Sequence, residues 1–156
     1  MSKNIQIRNI TRIPQLKKVI KDLNSYAVEV GIFGDGEYVM IARVHEFGMT
    51  IRTKKANINI PERSFMRSVF EEKQDAWTKF VKKRLPLVLD SKLDVRILCE
   101  DLGAKMVGDI QEKIVDLDTP PNAQSTIDQK GSSNPLINKG GAGGLLSKIT
   151  YRVVKK

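Results

Sequence analysis

One cysteine, one histidine and one tryptophan among 156 residues leave little material for several kinds of chemistry. A lone Cys99 cannot close an intrachain disulfide, and its place in an apolar helical stretch points to a packed core thiol rather than a reactive one. With a single His45 there is no cluster of His, Cys and Asp at the spacing of a zinc or iron site. No apolar run approaches the roughly 18 residues of a membrane span. The opening MSKNIQIRN lacks the apolar segment of a secretion signal, so the expectation is a cytosolic-type chain with no membrane partner. No internal repeat is present.

What the chain does have is charge, unevenly placed. Lys and Arg outnumber Asp and Glu by 27 to 18, a net charge of +9. Residues 1–21 carry six of the basic groups and no acid, and residues 126–156 carry six against Asp128 alone. The middle is close to balanced, so the excess sits at the two ends. Basic ends can meet nucleic acid, an acidic partner or solvent. Interleaved aromatics and a nucleic-acid-binding motif are both missing, which counts against direct DNA readout. With 40% hydrophobic and 29% charged residues the composition fits one globular domain over residues 1–156.

Residues 13–23 place Leu16, Val19, Ile20 and Leu23 at helical spacing with lysines opposite, predicting a short amphipathic helix. Residues 26–33 alternate and are rich in β-branched and aromatic side chains, which predicts a strand closed by Gly34-Asp35-Gly36. Residues 38–48 fit helix or strand. Helix is preferred, because Arg43, His45 and Glu46 fall beside an uninterrupted apolar side and Gly48 would cap it. Residues 50–60 alternate again and predict an exposed hairpin arm turning near residues 54–57. Pro61 then opens a long helix with Phe65, Met66, Val69, Phe70, Trp77, Phe80 and Val81 inward, broken or kinked at Pro86. A second long helix, starting near 87 or 91 and ending at 115, carries Leu98, Leu102, Met106, Ile110 and Ile114 every four residues. Residues 147–154 read as a last strand. The fold class is α+β, with a small mixed or antiparallel sheet on two long helices.

Between the second helix and that strand lies the long polar loop of residues 116–146, full of Pro, Gly, Ser and Asn. Such composition admits little regular helix or strand, and a loop of this length inside a compact domain signals function or disorder. Residues 119–144 are expected to be poorly ordered in the free chain and fixed on assembly, with Leu136 and Ile137 as apolar anchors and Lys130 as a polar contact.

The catalytic readings find no constellation. His45 has no nucleophile or orienting partner, since its neighbour Glu46 does not face it on a helix, and a packing or capping role fits it better. A hydrolase using His45 would need activity that disappears in His45→Ala. The glycines of KGGAGGLLSK lack the Lys-Ser/Thr ending of a phosphate-binding loop and the strand that leads into one. Acidic pairs such as Asp116/Asp118 and Glu100/Asp101 fit solvated helix ends. No enzyme, cofactor or metal is expected. An interaction protein remains, reaching other chains through its arm, its loop and its basic ends.

Four stretches resemble motifs of the tail-completion or neck proteins of tailed bacteriophages. They are Val28-Glu-Val-Gly-Ile-Phe33, then Ile41-Ala-Arg-Val-His-Glu-Phe-Gly48, and Ile60-Pro-Glu-Arg-Ser-Phe-Met-Arg67. The fourth is Pro120-Pro-Asn-Ala-Gln-Ser-Thr-Ile-Asp-Gln-Lys-Gly131, followed by Asn134-Pro-Leu-Ile137 and Leu146-Ser-Lys-Ile149. Order and spacing match over nearly the whole chain. One departure is Asn138-Lys139-Gly140, with a glycine-rich addition, where such proteins tend to read Asp-Thr-Gly. The resemblance implies a non-enzymatic virion protein, assembled in the host cytoplasm, that forms a ring, often hexameric, at the head–tail joint or head-proximal tail end. Its partners would be further copies, head-connector or head-closure proteins, the tail terminator and tail tube or sheath proteins. Packaged DNA would meet the positive excess non-specifically. The interface candidates are Arg52, Lys54 and Lys55 on the arm and Asn122, Thr126, Lys130, Leu136 and Ile137 in the loop. A tail terminator, a head-closure ring and a basic DNA-binding accessory protein are the rival readings.

Overall fold

The computed structural model describes residues 11–54, 57–137 and 144–156. Among these the chain is α+β, with six helices and two antiparallel two-stranded sheets. The first helix, α1 (Ile13–Ser25), leads into β1 (Tyr26–Gly31), and α2 (Glu37–Phe47) follows. The hairpin strands β2 (Met49–Arg52) and β3 (Asn57–Ile60) come next, then the long helices α3 (Met66–Leu89) and α4 (Val95–Asp116). Two short helices, α5 (Gln124–Lys130) and α6 (Leu145–Lys148), precede the final strand β4 (Thr150–Lys155).

The last strand closes on the first. β4 pairs antiparallel with β1 from Tyr26↔Lys155 to Gly31↔Thr150. This ribbon lies on α4, whose other side packs on α3. Gly103 makes the approach possible: a Cβ there would sit 2.3 Å from a ring carbon of Tyr151. The apolar stripe of α4 supplies Leu98, Ile110 and Ile114 to the core, as its four-residue spacing predicts. Ile110 and Ile114 join Phe65, Val69, Trp77 and Ile149 in the larger cluster. Leu98 joins Val19, Val88 and Val95 in a smaller one under α1, with Cys99 half-buried beside it.

The expected small sheet is the β1–β4 ribbon, and the expected hairpin arm is the separate β2–β3 ribbon. Two details differ from the sequence reading. α3 begins at Met66 rather than at Pro61, because its cap comes from a distant residue described below. Nor does Pro86 end that helix, which runs one turn further. Ser91 at φ 56° then closes it, with Ser91 N donating to Val88 O and Lys92 N to Leu87 O. That is the Schellman arrangement, here with serine in the left-handed position usually held by glycine.

Candidate functional site

Three of the resembling stretches, far apart in sequence, meet at the base of the hairpin. Glu46 stands in the last turn of α2, only 5% exposed. Its Oε2 accepts from the N–H groups of Phe65 at 2.9 Å and Met66 at 3.0 Å. Its Oε1 accepts from Ser64 Oγ at 2.8 Å, Arg67 N at 2.9 Å and Arg67 Nε at 3.1 Å. Three of these donors, Phe65 N, Met66 N and Arg67 N, are the backbone N–H groups that open α3, which has no side-chain cap from its own N-cap residue. A carboxylate there also meets the positive end of the helix dipole. Burial alone would raise the Glu46 pKa, but the hydrogen bonds from Met66, Arg67, Ser64 and Phe65 outweigh it and hold the carboxyl below its ordinary value.

The neighbours of Glu46 complete a clamp. His45 O accepts from Arg63 N at 2.7 Å, and Arg67 Nη2 donates to Glu46 O at 2.7 Å. The Arg67 guanidinium lies 4.7 Å from the centre of the Phe47 ring. Gly48 sits at φ 70°, and a Cβ there would come within 3.0 Å of both Ile60 O and Glu62 N. Only glycine lets the chain entering the hairpin pass so close to the chain leaving it.

Arg63 extends the clamp into the long loop. It is 5% exposed, and its Nε and Nη2 donate to Pro120 O at 2.8 Å and Pro121 O at 3.0 Å. Lys130 Nζ donates to Asn134 O at 3.2 Å and Pro135 O at 2.7 Å. Asn134 Nδ2 reaches Val115 O at 2.9 Å on the end of α4, while its Oδ1 accepts from Leu136 N and Ile137 N. Leu136 is 6% exposed in the main core, and Ile137 packs against that core. Both cations act on His45, whose pKa is lowered to about 4 by burial and then by the charges of Arg63 and Lys130. His45 Nδ1 is buried and has no hydrogen-bond partner among the described residues.

Within the loop, Leu117, Leu136 and Ile137 pack with the core, and residues 124–130 form helix α5 where the composition admits little regular structure. Carbonyl groups that the composition leaves without secondary-structure partners are met by Arg63, Lys130 and Asn134 instead. Lys130 and Leu136 have contacts within their own chain, Lys130 on the carbonyl groups of Asn134 and Pro135 and Leu136 in the core. Asn122 Nδ2 also donates to Asn134 O at 3.4 Å. Thr126 is exposed on α5, and Arg52 and Lys54 are exposed on the hairpin. Lys55 and residues 138–143 lie outside the described residues. Glu46 and Arg63 were missing from the candidates. Each stands in a motif beside other charged residues, Arg43 with Glu46 and Glu62 and Arg67 with Arg63, so charge alone did not single them out.

The hairpin itself stands apart. Its register pairs Met49 with Ile60 and Ile51 with Ile58, so these four share one face. Met49, Ile51 and Ile58 are 47%, 40% and 51% exposed. Thr50 and Asn59 meet on the polar face through a 3.1 Å hydrogen bond. Among the described residues no group of three or more His, Cys, Asp or Glu is placed to hold a metal ion. No described helix is long and apolar enough to cross a membrane. No family model, curated protein or solved structure matches this chain.

Proposed function

We propose that this chain is a non-enzymatic structural subunit that joins copies of itself into a ring at the head–tail joint or head-proximal tail end of a tailed virion. The hairpin arm carries the reading. An isolated two-stranded ribbon is marginal in water, and this one leaves its apolar face uncovered. Its base, by contrast, is clamped by a buried carboxylate, a buried arginine and a glycine that tolerates no side chain. A firm base under an uncovered apolar ribbon suits a part that reaches another chain. The place in the virion comes from the resembling motifs, three of which make up that clamp. The partners are then further copies and the connector, closure, terminator or tube proteins on either side. The basic ends would face packaged DNA.

Native mass spectrometry and negative-stain imaging of the full chain over rising concentration test the reading. The expected result is a closed ring that disappears when residues 53–56 are replaced by Gly-Gly, with the thermal melt little changed. A folded chain that stays monomeric throughout and binds duplex DNA with a steep salt dependence would replace the ring by the DNA-binding accessory reading.

A further inference from the structure

Resting on the ring reading, the question is which surface of the next copy receives the arm. Arg52 and Lys54 are exposed near its tip, and neither has a carboxylate partner among the described residues. The exposed face of α1 carries Lys17, Lys18 and Lys21, which would repel them. The apolar cleft beside Phe33 and Val39 is lined by Arg43 and Arg67, and its one acid, Glu46, is consumed in capping α3.

The groove between α3 and the C-terminal half of α4 has the opposite character. Glu62, Glu72, Asp109, Glu112, Asp116 and Asp118 line it, against Lys73, Lys113 and the inward-turned Arg63. Lys73 pairs with Glu112 and Lys113 with Glu72, which leaves Asp116 and Asp118 without a cation partner among the described residues. Among the described residues, two carboxylates without a cation, Asp116 and Asp118, the latter accepting from Thr119 Oγ1 at 2.8 Å, thus answer two cations without a carboxylate. Strands of four residues span about 13 Å, enough to cross two helices packed about 8–10 Å apart.

We propose that the hairpin of one copy lies across the α3–α4 groove of the next with its polar face down, the face that Arg52 shares with Thr50, Asn57 and Asn59, so that Arg52 and Lys54 meet Asp116 and Asp118. Arm and groove are different surfaces, so the contact is heterologous and propagates around a ring instead of closing a two-fold dimer.

Charge reversal on the full chain tests this by sedimentation velocity. Arg52→Glu with Lys54→Glu, and separately Asp116→Lys with Asp118→Lys, should each weaken association at least about tenfold. The variant carrying all four changes should recover it. Circular dichroism checks that every variant folds, and lysine at position 116 suits the C-terminal end of α4. If wild-type rings persist in the folded Asp116→Lys, Asp118→Lys variant, this seat is wrong while the ring stands. If the folded wild-type chain never associates, the ring reading fails and takes the seat with it.

Discussion

Replacing Glu46 tests the clamp at the arm's base. Backbone N–H groups of Phe65, Met66 and Arg67 and the Ser64 hydroxyl converge on its carboxylate. At about 1.5–3 kcal/mol for each bond to a charged group, four would add about 6–12 kcal/mol. That rivals the total stability of a domain, about 5–15 kcal/mol, so the cost of desolvating the carboxylate must cancel much of it. Truncation in Glu46→Ala, which strands the buried donors, should cost about 3–5 kcal/mol. Glu46→Gln keeps the shape but turns an amide N–H₂ toward donors, and should cost about 1–3 kcal/mol. The pH dependence separates a cap from mere packing. Because the folded-state pKa lies below the ordinary 4.5, the stabilisation is complete above 4.5 and is lost as pH falls from there through the folded-state pKa. Urea melts between pH 7 and 3 should show this acid-side loss in the wild type and a reduced loss in Glu46→Gln. A Glu46→Gln variant within about 0.5 kcal/mol of wild type at pH 7, with the same acid-side slope, would refute the cap.

Gly103→Ala should destabilise by about 1–3 kcal/mol in urea melts, since its Cβ would enter the Tyr151 ring and push β4 off α4. Arg63→Ala should cost about 2–4 kcal/mol by stranding the Pro120 and Pro121 carbonyls, and hydrogen exchange should quicken across residues 122–137 while α4 stays protected. His45 is held neutral in the fold, so stability is complete above pH 6.5 and falls as pH drops from 6.5 toward about 4. The full interval corresponds to about 3 kcal/mol, and solvent screening at this partly open site reduces that to about 1–2 kcal/mol. A His45→Gln variant should melt with a flatter profile across that window.

Whatever depends on local periodicity was legible in the sequence. The stripe of α4, the alternation of the hairpin and the Gly48 stop after α2 all rest on residues within a few positions of one another. What escaped depends on distant partners. The start of α3 was placed at Pro61 because proline and glutamate look like a helix opening, while the actual cap is Glu46, 20 residues before Met66. The loop looked unstructured because its own composition buries little. Its anchors include Arg63, 57 residues before Pro120, and no window of the loop reveals that. In sequence Lys130 and Leu136 read as a polar and an apolar point on the loop, and in the fold the same properties place them on carbonyl groups and in the core.

The clamp ties three distant segments to one another. Glu46 caps α3 through the residues after Arg63, and Arg63 itself holds Pro120 and Pro121. Asn122 and Lys130 then hold the turn at Asn134 and Pro135. Each of these segments meets polar groups that another presents. The hairpin leaves this knot at Gly48 and returns to it at Ile60. Its root is thereby fixed relative to α3, which forms one wall of the acidic groove. In a ring, the arm that a subunit offers and the groove that it presents are then held at a set angle by one buried carboxylate. Loosening Glu46 should therefore blur ring closure even where the arm and groove side chains are untouched.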